Sequence, residues 1–456
     1  MQPSAQAEVN SAAFQRCLND TVNGPVTIPG ADGEYLLAGR ITVPAGRTIV
    51  LGDGARLRWL ATEPASGGPF LRFATRPGLE VLGDEFHLTG RGQILGPSRG
   101  AYTALEIGLL CVGNGIDAVH RGFEISDGIE FRDWGSHGIA LQFVRDVRIR
   151  GISVRECGYA GMQFLSCETG HILSNTVSAI GPGASGNAYG ISCTHDSFNY
   201  AADPNAASDG RRAANRFCID FEVAHNTVQD IPLWAGIDFH GAYDCRAHDN
   251  QVYNCRHGMM LQGSSGNAVD FAGENNSVES NSVTTRRLNG EPTTVTALSR
   301  LGISVNGGKI VHNRAISIKN NAIDGYGDAR HTSFSLQHTF TSNLEISRNQ
   351  VTNWQGYGCY SAYSDGVIDA NVFGPVAEPA GSACIFVAIG GGLRITGNRL
   401  DVDSGSPPEY GLYLNTTRDA PYLVEGNDFR AATVRPYAGP RGVPLLPNQV
   451  VGGRPG

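Results

Sequence analysis

The chain has 456 residues, of which 41% are apolar and 17% charged, with a net charge of −8. A charged share below the ~25% of an average globular protein, beside that much apolar content, excludes a disordered or coiled-coil chain. Lysine occurs only at Lys309 and Lys319, which makes nucleic acid a poor partner, since phosphate binding needs a basic face.

The opening residues Met1-Gln2-Pro3-Ser4-Ala5 are neither basic nor strongly apolar, so no signal peptide is expected in the chain as given. No window reaches ~18 uninterrupted apolar residues, so no membrane-spanning helix is expected either. Location stays open between cytoplasm, phage particle and a secreted protein with a trimmed signal. Residues 11–18 place Phe14, Cys17 and Leu18 on one helical face. We read residues 1–24 as an N-terminal cap, 25–430 as one repetitive domain and 431–456 as an extended, Pro- and Gly-rich tail. From Val26 to Leu57 the pattern is rich in strands. The ten cysteines are scattered without a Cys-x-x-Cys pair, and Cys193, Cys359 and Cys384 lie in apolar runs. They read as reduced, small core residues.

The repeat decides the fold. Asn or Gly, one residue, then an apolar residue recurs at Gly128, Gly151, Asn175, Asn226, Asn250, Asn281, Asn321, Asn349, Asn371, Asn398 and Asn427. The spacing falls to 22–24 residues in several places, with insertions elsewhere. The 51-residue step from Asn175 to Asn226 reads as one rung with a loop, because Ser197 to Asn215 has no strand pattern. About ten residues after each comes a Gly-apolar-x-apolar phrase, as in Gly161-Met-Gln-Phe, Gly190-Ile-Ser-Cys, Gly236-Ile-Asp-Phe and Gly302-Ile-Ser-Val. Strands this short cannot bury their own apolar face and must stack on their neighbours. A propeller would need blades of ~40–50 residues, which the short intervals contradict.

These phrases resemble the right-handed parallel β-helix proteins of the pectate-lyase-like and tailspike-like type, over about residues 25–430. The resemblance implies an all-β fold of some ten to twelve coils with an N-terminal capping helix. It also implies an asparagine ladder in the turn after the second strand and a glycan bound along the outer face of the first sheet; oligomeric state stays open, with the homotrimer common among tailspike-like relatives as one option. A polysaccharide or oligosaccharide is the expected partner, without nucleic acid or membrane.

Within each Gly-apolar-x-apolar phrase the intervening residues should face outward. These are Ala140 and Gln142, Gln163 and Leu165, Ser192 and Thr194, Asp238 and His240, Met260 and Gln262, and Ser304 and Asn306. Stacked ~4.8 Å apart, they are expected to form an exposed polar patch centred on Asp238 and His240. Asp196 and His195 extend it by one step. Gly181 to Tyr189, Gln229 to Trp234 and Ser197 to Asn215 read as flanking loops, from which Trp234 and Tyr189 could stack on sugar rings. The segment Gly236-Ile-Asp238-Phe-His240 is similar to the Gly-x-Asp-Pro-His segment of alginate C-5 epimerases, with Phe239 in place of Pro. That resemblance implies catalytic roles for Asp238 and His240.

Three functions fit. A glycoside hydrolase needs two carboxylates, read as Asp238 with Asp196 or Asp244. A polysaccharide lyase or epimerase needs a base, His240, a donor such as Tyr189 or Tyr243, and a cation from Arg256 or Arg145. A glycan-binding shaft needs only aromatic and amide residues. The patch holds more carboxylate than cation, and a −8 chain does not attract a polyuronate, which favours the hydrolase. Catalytic roles therefore fall to Asp238, His240 and Asp196, and substrate contacts to Trp234, Tyr189, Gln163, Ser192, Thr194, His195, Gln262, Arg256 and Asn306. No cofactor or metal is expected. Calcium would want an Asp-x-Asp-x-Asp loop, which is missing.

Overall fold

The computed structural model describes residues 3–20, 24–65, 75–98, 106–115, 118–181, 186–195, 217–263, 272–293, 300–308, 312–328, 334–390, 392–415 and 422–439. The chain divides into two compact units, Met1–Asp238 and Phe239–Gly456. Both are built the same way. Short strands follow one another around a coil, and each pairs in parallel with its counterpart in the next coil. In the first unit Val144–Arg150 pairs with Glu168–Leu173, which pairs with Ile219–Ala224. In the second, Ser277–Glu279 pairs with Ser317–Lys319, then Leu344–Ser347 and Gly366–Asp369.

The recurring asparagines do what the repeat implies. Each follows a second-sheet strand, and the residue before it adopts a left-handed backbone, as at Ser174 (φ 56°), Ser280 (φ 56°) and Arg348 (φ 55°). Such a turn points backbone groups where no strand partner reaches them. In the second unit the Asn281 amide N–H and Nδ2 both donate to Asn321 Oδ1, at 2.9 and 3.0 Å. Asn281 Nδ2 also donates to Ala247 O at 3.0 Å. Asn321, Asn349, Asn371 and Asn398 repeat the pattern up to Asn427. In the first unit Asn175 donates in the same way to Asn226. The 51-residue step is therefore a single rung. Its insertion, Ser197 to Asn215, lies outside the described residues. Gly128 and Gly151 are not ladder positions. Ile152 N–H donates to Asn175 Oδ1, so the ladder position there falls one residue later.

The recurring glycine also has a cause. A Cβ on Gly161 would lie 2.5 Å from Val177 Cγ1, and one on Gly190 2.6 Å from Val228 Cγ1. The first strand of a coil begins so close to the β-branched residue of a third strand that no side chain fits between them. Around this axis the interior is apolar, with Phe164 against Phe221 (5.2 Å between centroids) and Trp59 against Trp134 (5.7 Å). All ten cysteines are free, and nine of them, including Cys193, Cys359 and Cys384, are buried.

The helix runs over Pro3–Asn19, longer than the pattern at 11–18 suggests. Its Ala7, Phe14 and Leu18 are buried, whereas Cys17 is exposed. Its polar side chains complete the free edge of the first coil. Ser11 Oγ donates to Ala38 O and accepts from Ala38 N–H, both at 2.8 Å. Gln15 pairs the same way with both backbone groups of Thr42. In the second unit the tail expected from residue 431 begins with one more strand, Arg435–Ala438, parallel to Tyr410–Leu414. Residues 440–456 lie outside the described residues.

Candidate functional site

The first-sheet strands His137–Gln142, Ala160–Leu165 and Tyr189–Thr194 stack in register, aligning Ala140 with Gln163 and Ser192. Asp238 continues this row. Its strand neighbours Ile237 and Phe239 are 2% and 1% exposed, and Asp238 itself is 0% exposed. Ser192 Oγ lies 3.5 Å from Asp238 Oδ2. Tyr189 is also buried, and its hydroxyl pKa is raised by that burial and by the charge of Asp238. The phenol therefore stays protonated, with its oxygen accepting from Asn187 Nδ2 at 3.3 Å and the hydroxyl also hydrogen-bonded to Tyr159.

Beside this row lies a column of outward residues that the alternation rule misses. The residue at the start of the first strand, just before the recurrent glycine in most coils, can also lie on the outer side, as His137 does against Gln163. His137 and Tyr189 hold this position in the first unit, and His257, Phe334, Tyr357 and Tyr410 in the second. The signal was present in the sequence, since five of these six are His or Tyr followed directly by Gly. His137 Nε2 lies 2.7 Å from Gln163 Oε1, and Ser136 Oγ lies 2.8 Å from His137 Nδ1. Burial lowers the His137 pKa to about 4, so the ring is neutral at pH 7. The amide oxygen can only accept, so Nε2 carries the proton and Ser136 donates to Nδ1. Tyr159 links the two ends of the cluster, with its ring edge-on to both His137 (5.1 Å) and Tyr189 (5.6 Å).

The expected open polar patch needs correction. Leu110, Val112, Ala140 and Leu165 form a buried apolar cluster with Ile107, against which Ala65 packs. Gln142 and Ser192 are buried too, and Gln163, Thr194 and His195 are each at most 8% exposed. Apolar side chains take up part of the outer face of these coils, so its polar groups narrow to Gln163, Ser192, Thr194 and Asp238, none more than 8% exposed. Gln229 to Trp234 is not a loop either. Thr227–His240 is one continuous strand, bent at Asp230 (φ 58°), and Trp234 sits half-buried along it. The ring of His195 lies edge-on to Phe217 at 6.0 Å. Asp196 and residues 182–185 lie outside the described residues.

In the second unit, burial lowers His240 to about 4, and burial with the Arg256 charge lowers His257 to about 3. Both are neutral at pH 7. Farther along, Asn306 Nδ2 donates to Ser304 Oγ at 3.0 Å, Ser304 Oγ to Gln337 Oε1 at 3.2 Å, and Thr339 Oγ1 to Asn306 Oδ1 at 3.1 Å. Gln262 Nε2 lies 3.6 Å from Met260 Sδ. This amide-hydroxyl network gives way to stacked rings. Phe334 lies 4.4 Å from Tyr360, Tyr357 lies 4.1 Å from Phe386, and Phe386 lies 5.2 Å from Tyr413, with planes within 13°. Their faces are occupied by one another; Phe334 and Phe386 are buried, and Tyr357, Tyr360 and Tyr413 are partly exposed.

Three alternates fall away from the first sheet. Asp244 is an exposed turn residue (φ 54°) that accepts from Asn275 Nδ2 at 2.5 Å. Tyr243 bridges to Glu274 near the second sheet. Arg145 lies on the second-sheet strand Val144–Arg150, with Nε 2.7 Å from Glu168 Oε2, so its charge is already balanced.

Residues 235–429 match the family described as right handed beta helix region. Among solved structures the chain is similar to a tailspike mutant of E. coli bacteriophage HK620 in complex with a pentasaccharide. They share 13% identity, 94% of this chain and 73% of that one are covered, and the TM-score is 0.55. PfbA, a surface adhesin of Streptococcus pneumoniae, shares 11% identity over 91% of this chain and 87% of its own, with a TM-score of 0.52. The N-terminal fragment of bacteriophage Phi29 gene product 12 shares 12% over 94% and 69%, with a TM-score of 0.54. The fold is a right-handed parallel β-helix. The β-helix spans 64% of the length of the Dettilon tailspike protein, which it matches with a TM-score of 0.49. No curated protein matches the β-helix in sequence. Within neither unit do the described residues bring three His, Cys, Asp or Glu side chains together as metal ligands.

Proposed function

We propose that the β-helix binds a polysaccharide against the outer face of its first sheet and cleaves glycosidic bonds there, with Asp238 as the principal catalytic group. The observation that carries this reading is a fully buried, outward-facing carboxylate flanked by a protonated phenol and a hydroxyl. A carboxyl group held beside a glycosidic bond can serve as acid, base or nucleophile in its cleavage. Hydrolysis requires a second carboxylate to activate water or attack the sugar, a role this reading gives to Asp196. That a tailspike of similar fold is solved with a pentasaccharide supports a glycan as ligand.

The second reading is elimination or epimerisation at a uronate. Its support is His240, neutral at pH 7 and so able to accept a proton. A reducing-sugar assay on a polysaccharide panel, run beside ultraviolet absorbance of the products, separates the two. Reducing ends without an unsaturated product support hydrolysis, whereas an unsaturated product assigns elimination. A panel on which Asp238→Asn cleaves as fast as the native chain would move the catalytic site elsewhere.

A further inference from the structure

The described strand pairs are all parallel, and a single antiparallel bridge joins Val376 and Ser406 among the described residues. The Val376 N–H donates to Ser406 O at 2.9 Å. This bridge folds the segment after Arg399–Leu400 back onto Pro375. The approach is close enough to demand glycine at Gly405, which has φ 106° and whose Cβ would lie 2.6 Å from Pro375 Cβ. The folded segment walls a groove of about 440 Å³ on the outer side of the third strands of the second unit. Gln350, Val372 and Arg399 form its floor, in register on three successive coils. Arg348, Asp401 and Asp403 also line it.

We propose that this groove is a second carbohydrate site, separate from the first-sheet face, and that it takes a neutral oligosaccharide. Two arginines, of which Arg348 donates from Nε to Asn320 Oδ1 at 3.0 Å, and two aspartates line the groove, so the lining carries no net charge and attracts neither a phosphate nor a polyuronate. Arg399 Nη2 lies 3.2 Å from Asp401 Oδ2. Such a pair offers a planar double donor beside a double acceptor, and vicinal sugar hydroxyls satisfy both at once. Three coils at ~4.8 Å spacing give a floor ~10 Å long, enough for about two sugar rings, and the volume lies within the ~300–1,000 Å³ of small-molecule sites. Arg399 is 60% and Asp401 40% exposed, so these polar groups stay open to a ligand.

The test is a glycan array of neutral and acidic oligosaccharides, probed with the full chain as the native protein and as Asp238→Asn. Affinity for the brightest neutral ligand is then titrated on Arg399→Ala, Asp403→Asn and Gln163→Leu variants. We expect retention of a neutral oligosaccharide by both proteins. The affinity should fall at least ~tenfold in Arg399→Ala and Asp403→Asn and be unchanged in Gln163→Leu. Because Arg399 and Asp403 are surface residues, melting curves of their variants should match the parent. Binding of acidic glycans only, full affinity in Arg399→Ala, or loss confined to Gln163→Leu would each overturn the second site. The last outcome would leave the first-sheet reading intact.

Discussion

At the scale of single residues, burial decides what each titratable group can do. Asp238 was expected as a surface residue, for which substitution costs within about ±0.5 kcal/mol. Its complete burial changes that expectation. Asp238→Asn should lower glycan cleavage by ~10²–10⁴ and also shift stability by about 1–3 kcal/mol, because partners arranged around a carboxylate meet an amide. A cleavage assay with a melt of the same sample reads both. His338 shows the same principle in the interior. Neither ring nitrogen has a hydrogen-bond partner in the structure, nor does the Ser361 hydroxyl in register with it on the next coil. Burial lowers its pKa to about 3, against ~6.5 in an unfolded chain. The unfolded chain therefore takes up the proton first. The stability of the neutral ring is fully present above pH 6.5 and is lost as pH falls from there toward 3, at ~1.4 kcal/mol per pH unit. His137, His240 and His257, lowered to about 4, 4 and 3, add the same dependence. We expect His338→Leu to be as stable as the native chain at pH 7 and to unfold along a shallower acid slope. Denaturant titrations at pH 7 and pH 5 would show it.

At the scale of elements, the ladder and the glycine close approach carry the turns. Asn321 donates to Val278 O and Asn349 Oδ1 and accepts from Asn281, all at 2.9–3.0 Å and almost wholly buried. Asn321→Ala leaves several of those groups unpaired, at about 1–3 kcal/mol for each that finds no water. A loss of about 2–4 kcal/mol in a denaturant melt is the expected outcome. Gly161→Ala should cost about 1–3 kcal/mol by overpacking against Val177, and Val177→Ala in the same chain should recover part of it. Recovery in that double variant, read by thermal melting, checks that the clash rather than backbone freedom is responsible.

At the scale of the whole molecule, a stack of coils is open at its ends. The Pro3–Asn19 helix closes one end, placing apolar residues over the first coil while Ser11 and Gln15 pair its free strand edge. Removing residues 1–24 should expose that edge and the core beneath it, a template for pairing with another chain. Light scattering should detect association or aggregation of the truncated protein where the full chain scatters as a defined species. Much of this architecture was legible beforehand. The Asn spacing, the Gly-apolar-x-apolar phrases and the apolar stripe of the first helix are local consequences of short strands that must stack, so periodicity alone determined the coil and which side chains line its interior. The outer face was decided by tertiary structure. Alternation places Asp238 outward but cannot say that it is buried. It also misses His137, whose ring meets the outward Gln163 from a position that alternation assigns to the interior. The groove at Arg399 depends on one antiparallel bridge between segments thirty residues apart. Periodicity reports what repeats from coil to coil, whereas covering, bending and folding back happen once each, and only the packed chain records them.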